Sequence, residues 1–512
     1  MPTSRAAQGP PNILLITSDQ QHFSTLGVVN PKIRTPALDR LCAQGTRFDR
    51  AYCPNPTCTP SRASIITGMY PSQHGAWSLG TKLFEDVPVV GDHLKRAGYA
   101  TSLVGKAHFQ PLKRLPGMES LECQPILRDL DFWRRFTGPW YGFQHIEIAR
   151  MHGSESHVGQ HYAIWMEEKG LKDWQRFFMK WPHDEEDFKF HWNQRHWDIP
   201  QEFHYTRWTG ERTIARIEAA AKAGRPFFCW SSYHDPHPPY NVPEPWASMY
   251  DPADMEPGRL VPGEHDRNPD HFRMTQQKDP PFRERYFEDQ GIHGFHSHLH
   301  SCEELKKDMA IYYGMVSFMD QQIGHTLEAL DRLGLADNTL VIFTTDHGHF
   351  LGQHGLIAKG AFHYEDLIRV PFIVRWPDRI AAGRVSNDIQ NLVDLAPTFL
   401  AAAGIDIPGV MTGVNQLPSW CEGRAVRSWS ITENHHTLTK VHCRTYVDQR
   451  YKLTVYRNGD QGELFDLRDD PNELRNLWDE PSAAALKAEL MHRFVQACLQ
   501  YEPVRMPRIW GA

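Results

Sequence analysis

Residues 12–17 read NILLIT, and Ser18, Asp19 and Gln20 follow them directly. A continuous apolar run of this length reads as a strand buried on both faces. Working outward, the same texture recurs at Thr101–Val104, at Pro226–Ser232 (PFFCWSS) and at Thr339–Thr345 (TLVIFTT). Helical stretches separate these runs. Thr35–Gln44 reads as a helix, with Thr35 placed to cap it and Pro36 in its first turn, and another helix ends around Gly98. Strands that alternate with helices and are apolar on both faces predict an α/β fold: a large, mostly parallel sheet covered by helices on both faces.

In such a sheet, ligands bind beyond the carboxyl ends of the strands. Asp19, His108, His237 and Asp346 each stand just past the end of a predicted strand. Residues 1–405 are therefore expected to form the catalytic α/β domain. Two stretches interrupt it. Residues 110–205 are rich in Trp, Phe and His, and residues 250–300 in Pro, Asp and His; both are expected to wall the pocket. The histidine cluster His293–His300 (HGFHSHLH) fits no standard metal spacing and reads as a solvated loop. Trp133, Trp140, Trp192 and Trp197 are candidates for an aromatic or sugar subsite, or for simple core. Past residue 405 the texture changes. Arg444–Val455 alternates, and Glu463–Leu477 reads as a strand, a turn at Asp470-Pro471 and a helix, so residues 406–512 should form a small α+β subdomain with an antiparallel sheet.

The balance of 55 basic against 62 acidic residues gives a net charge of −7, which offers nothing for nucleic acid or an anionic membrane to bind. The opening MPTSRAAQGPPN has no apolar secretory core, and no stretch is long and apolar enough to span a bilayer. Nine cysteines without paired spacing suit reduced residues in a cytoplasmic protein.

Three groups of residues carry chemistry. In CTPSRASIITG (58–68), Thr59 can cap a helix, Pro60 can open it and Gly68 can close it. Cys58 then sits at a helix N-terminus, where free N–H groups favour an anion, and Arg62 lies one turn on. A buried cysteine with Arg62 in an ordinary ion pair is the plain alternative. Asp19 and Gln20 after one strand, with Asp346 and His347 after another, offer two carboxylates, an amide oxygen and an imidazole to a divalent metal. Lys106 and His108 in GKAHF, His234 and His237 in YHDPHPPY, and Lys359 in HGLIAKG add a cationic group suited to a transferring sulfuryl or phosphoryl oxyanion.

In this order these elements resemble the sulfatases of the alkaline phosphatase superfamily. CTPSRASIITG is similar to the C-x-P-x-R signature, PNILLITSDQQ to the first strand and metal pair, and GKAHF to the Lys-x-His element. HDPHPPY is similar to a substrate-contacting segment, and DHGHFLGQHGLIAKG to the second metal pair with its lysine. The likeness runs from about Asn12 to Ala403, with a weaker match at GELFDLRDDPNE.

The resemblance implies a function and a set of roles. Cys58 would be oxidised by a formylglycine-generating maturation enzyme to formylglycine (3-oxoalanine), whose hydrate is a gem-diol. Asp19, Gln20, Asp346, His347 and position 58 would hold one divalent metal. One hydroxyl, steadied by Arg62, would attack a small-molecule sulfate ester; deprotonation of the other by His108 would break down the covalent sulfate hemiacetal. Lys106, His237 and Lys359 would contact sulfate oxygens or help the leaving oxygen. Many members carry Asp at the place of Gln20 and Asn at that of His347. The differences here favour Mn²⁺ over Ca²⁺, and are similar to the phosphonate monoester hydrolases and choline sulfatases. Cleavage of phosphonate monoesters or phosphodiesters is therefore the alternative, and a non-catalytic binding protein with an unmodified thiol is a third. Oligomeric state stays open: the aromatic insertion and the tail after Tyr501 could each dock on a second copy, giving a homo-oligomer.

Overall fold

The computed structural model of the chain describes residues 9–182, 186, 194–278, 297, 300–436 and 441–504. The N-terminal apolar run forms β1 (Asn12–Ser18), an inner strand of an eight-stranded sheet. The others are β2 (Thr46–Phe48), β3 (Ala100–Gly105), β4 (His145–Ile148), β5 (Phe227–Ser232), β6 (Thr339–Thr345), β7 (Phe372–Arg375) and β8 (Arg384–Ser386). Their order across the sheet is β8-β2-β7-β6-β1-β5-β3-β4. β4, β3, β5, β1 and β6 run parallel, and only β7 opposes its neighbours.

Side chains alternate across the pleat, so one apolar run feeds two cores. Ile13 and Leu15 of β1, Phe228 and Trp230 of β5, and Leu340 and Ile342 of β6 point to one face. Leu14, Ile16, Cys229, Val341 and Phe343 point to the other. Among the helices that cover these faces are α1 (Pro36–Gln44), α2 (Cys58–Thr67), α3 (Tyr205–Lys222), α4 (Cys302–Arg332) and α5 (Leu395–Ala402). Ile65 and Ile66 of α2 and Phe399 of α5 close the first core; Leu38 and Leu41 of α1, Ile217 of α3 and Val316 and Ile323 of α4 close the second. Each such side chain, fully withdrawn from water, contributes ~1.5–3 kcal/mol. The expected α/β fold is the observed one.

Helix α2 begins two residues earlier than its sequence suggests. Thr57, in extended backbone, is the N-cap, and Cys58 is the first helical residue, ahead of Thr59. The reason is Asn55, whose Oδ1 accepts from Thr57 N at 2.9 Å and from Thr57 Oγ1 at 2.6 Å, turning the chain before Cys58. Gly68 closes the helix with φ 66°.

The chain ends in an antiparallel sheet of β9 (Ser430–His436), β10 (Val441–Val447), β11 (Tyr451–Tyr456) and β12 (Gly462–Asp466), covered by α6 (Ala484–Gln500). Tyr70 and Val393 of the main body join Ile431, Leu453, Leu464 and Leu490 in one core, tying the two parts together. The helix expected after Asp470-Pro471 does not form; residues 473–477 are irregular. Asn476 is committed elsewhere. Its Oδ1 accepts from Leu464 N at 3.0 Å, and its Nδ2 donates to Gly462 O at 2.9 Å, so the segment is fastened to β12. Glu473, at φ 52°, pairs with Lys452 and accepts from Glu365 N at 2.6 Å.

The first insertion builds its own core around Tyr162, Trp174, Trp197 and Trp208, and sends Arg150 and His152 to the sheet edge. Trp133, Trp140 and Trp197 are buried packing residues, not a subsite: Trp133 Nε1 donates to Ile126 O and Trp197 Nε1 to Phe177 O. In the second insertion, Phe272 packs on Phe350 and Phe362, which buttresses the segment that carries Lys359. Trp192, most of the 293–300 histidine cluster and residues 505–512 of the tail lie outside the described residues. All nine cysteines are free thiols, and among the described residues no helix is long and apolar enough to cross a membrane.

Candidate active site

β6 and β1 end as neighbours and β3 ends one strand away across β5, and the residue after each turns into one buried cup: Asp346, Asp19 and Lys106. The N-terminus of α2 delivers Cys58 to the same point. Four groups surround its sulfur: Lys359 Nζ at 3.2 Å, His347 Nε2 at 3.3 Å, Lys106 Nζ at 3.5 Å and Asp19 Oδ1 at 3.6 Å. Arg62, one turn along α2, donates from Nε to Asp346 Oδ2 at 2.8 Å and through one terminal nitrogen to Ser232 Oγ at 2.7 Å. Its other terminal nitrogen, 3.8 Å from Asp19 Oδ2, is buried without a hydrogen-bond partner. Lys106 pairs with Asp19 and donates to His152 Nε2 at 2.6 Å.

Low dielectric sharpens every charge here. Burial opposes ionisation of Asp19, but Lys106, Arg62 and Lys359 outweigh it and hold the carboxylate below its ordinary range. Burial and Asp19 likewise oppose a Cys58 thiolate, yet Lys106 and Lys359 draw the thiol below its usual value. Burial, reinforced by neighbouring cations, keeps His108, His152 and His237 neutral.

The donor set suits a divalent cation. One ligand atom from each of Asp19, Cys58, Asp346 and His347 lies within 4.8 Å of the others, all four residues being buried. His347 Nδ1 lies 2.9 Å from Gly348 O and donates to it, which leaves the Nε2 lone pair facing the cup, 3.3 Å from Cys58 Sγ. Gln20 Oε1 is buried and has no partner, as an amide oxygen set aside for a cation would be. Two carboxylates, an amide oxygen and an imidazole nitrogen form a mixed oxygen and nitrogen set.

The remaining predicted residues stand at the rim. His237 stacks on His152, ring centroids 3.7 Å apart, and its Nε2 accepts from Lys359 Nζ at 3.1 Å. His108, at φ 59°, accepts from Arg150 at 2.8 Å through Nε2 and makes no hydrogen bond to Cys58. His234 turns away, its Nε2 hydrogen-bonded to Ala149 O at 2.9 Å. Sequence reasoning passed over Arg150, His152 and Glu155. They follow β4, and the rule that singled out Asp19 would have found them, but HIEI (145–148) carries too little apolar character to stand out as a strand. His349 was also missed, although it sits inside the quoted DHGHF.

The fold is an α/β sheet of the alkaline phosphatase type, and its cup gathers cationic side chains around a donor set that suits a divalent cation. A family profile described as Sulfatase matches residues 11–405, and one described as N-sulphoglucosamine sulphohydrolase, C-terminal, matches residues 352–500. The chain belongs to the sulfatase family and is a hydrolase acting on sulfate esters. It is similar to the uncharacterised sulfatase YidJ of Escherichia coli (strain K12), 28% identical over 94% of this chain and 85% of that protein. It is also similar to an arylsulfatase of Clostridium perfringens, 28% identical over 91% and 90%. Among solved structures, a phosphonate monoester hydrolase from Silicibacter pomeroyi shares the fold with a TM-score of 0.76 at 24% identity, covering 97% of this chain and 96% of that one.

Proposed function

We propose that the chain hydrolyses sulfate monoesters of the aryl sulfate type, with position 58, oxidised from cysteine to formylglycine, as its nucleophile. The observation that carries this reading is the crowding of Lys359, Lys106, His347 and Asp19 around one helix-initiating side chain. The hydrated aldehyde supplies two hydroxyls on one carbon, one to attack sulfur and one to expel sulfate. A divalent cation held by Asp19, Gln20, Asp346, His347 and the oxygen at position 58 would supply charge against the developing anion and ease loss of the attacking proton. Gln20 and His347, in place of Asp and Asn, favour Mn²⁺ over Ca²⁺.

The protein's own groups divide the work. Arg62 aims its free N–H at the side of the cup where negative charge grows. Lys106 and Lys359, both within reach of position 58, clamp the sulfate oxygens. His237 donates from Nδ1 to Pro238 O at 2.5 Å, so its Nε2 can only accept; it orients Lys359, which then protonates the leaving oxygen. His108 is the base for the second hydroxyl, and for that its Nε2 must exchange Arg150 for the hydroxyl once substrate is bound.

Mass spectrometry of the peptide spanning Cys58, after co-expression with a formylglycine-generating enzyme, tests the reading alongside turnover of an aryl sulfate. Aldehyde at position 58 in step with activity supports it; full turnover by an unmodified thiol overturns it. The Gln20 and His347 pair also favours a second activity on phosphonate monoesters, and kcat/KM for an aryl phosphonate monoester against an aryl sulfate ranks the two.

A further inference from the structure

Gln20 is held from three sides. Its N–H donates to Asp346 Oδ1 at 3.0 Å, its carbonyl accepts from the Tyr312 hydroxyl at 2.9 Å, and its side-chain Nε2 lies 2.8 Å from His349 Nδ1. The far ring nitrogen of His349 lies 2.7 Å from the Tyr240 hydroxyl. The imidazole also lies flat on Tyr312, centroids 5.0 Å apart and planes 9° apart, and is wholly buried. Only the amide oxygen is left without a partner.

An amide has a donor end and an acceptor end of nearly the same shape, and nothing in the residue itself decides which faces a neighbour. With the NH₂ turned inward, Gln20 would present two positive hydrogens to a cation. We propose that His349 is a positioning residue that removes this choice, accepting the Gln20 NH₂ so that the amide oxygen faces the cation site. The inference rests on the metal-site reading of Asp19, Gln20, Asp346 and His347. The ring can accept at Nδ1 only with its proton on Nε2, where Tyr240 takes it. Tyr240 lies three residues after His237, so the same chain of hydrogen bonds joins the cation site to the segment that orients Lys359. Tyr312, from the long helix α4, keeps the ring from turning.

The test titrates the metal-stripped full-length protein with Mn²⁺ by calorimetry and follows Tm with and without Mn²⁺. His349→Ala should weaken Mn²⁺ binding by ~10–100-fold, the usual cost of losing a residue that orients a ligand. His349→Asn, whose Oδ1 falls near the place of Nδ1, should recover most of that loss. Tyr240→Phe, which leaves the ring in place, should lose less than His349→Ala. In a Gln20→Ala background, His349→Ala should cost nothing further, because the residue through which it acts is gone. Wild-type affinity in His349→Ala, or an equal loss in the Gln20→Ala background, would overturn the proposal while leaving the metal site standing. Absence of Mn²⁺ binding by the wild type, or undiminished binding by Asp19→Asn, would instead sink the metal-site reading and this inference with it.

Discussion

Arg427 and Arg62 are both buried arginines facing a buried aspartate, and the two are answered differently. Arg427 meets Asp394 twice, at 2.5 and 2.6 Å. Asp394 also accepts from Val414 N at 2.9 Å and Gln416 Nε2 at 2.8 Å, so charge is balanced and both oxygens are occupied. Arg62 meets Asp346 once and leaves a terminal nitrogen bare. Around Cys58, three cations (Arg62, Lys106 and Lys359) face two carboxylates (Asp19 and Asp346). Buried charge left partly unmatched is costly, and a fold that only needed rigidity would do better with the first arrangement. The surplus beside Cys58 makes sense as a receptor for an incoming anion, and the bare Gln20 oxygen as a receptor for a cation.

Breaking each side of this comparison should give opposite signatures. Cys58→Ala should take aryl sulfate turnover to the uncatalysed background with little change in Tm. Arg62→Ala should lower kcat by ~10²–10³, the usual loss of a preorganised donor at a developing anion. With metal bound, Asp346 still has a cation to face, so the fall in Tm should be modest. Arg427→Ala should do the reverse, costing about 3–5 kcal/mol of stability by stranding Asp394, while kcat per folded molecule holds. Denaturant melts paired with kcat for these variants decide the matter: if Arg427→Ala left stability intact, or Arg62→Ala unfolded the protein as fully, the distinction would fail.

The part of this contrast that sequence could reach follows from local chemistry. NILLIT and TLVIFTT can be little but buried parallel strands, and Asp19 and Asp346 at their ends then fall at a binding edge whatever lies between. Cys58 and Arg62 share a face of one helix by spacing alone. The neighbours that set the charge balance are beyond such reasoning, because they arrive over long separations. His152 meets Lys106 from the first insertion, and Tyr240, on the strap after β5, reaches His349, which follows β6. The failed helix after Asp470 has the same origin: Glu473, Leu474 and Arg475 suit a helix locally, but Asn476 bonds to β12 and Glu473 to Glu365 instead. The shift of α2 by two residues was legible in principle, since Asn55 two residues before Thr57 is a turn signal.

His354 is a third buried charge, and it sharpens the comparison because it lies between the two extremes. It faces Glu264 Oε1 at 3.4 Å and Asp366 Oδ2 at 3.5 Å and stacks on Tyr364 at 3.6 Å. Burial favours the neutral ring, but Asp366 and Glu264 outweigh it and raise the pKa from 6.5 to about 9. The folded value lies above the unfolded one, so this contribution is full below pH 6.5 and fades as the pH climbs through about 9. The whole shift corresponds to about 3 kcal/mol, and contacts without hydrogen-bond geometry should deliver less. His354→Gln should therefore flatten the decline of Tm across this window, and the difference between the two curves isolates the histidine from other groups that titrate there. Coincident slopes would mean that His354 is neutral in the fold and that Asp366 and Glu264 are answered by His22 and the Val261 N–H instead.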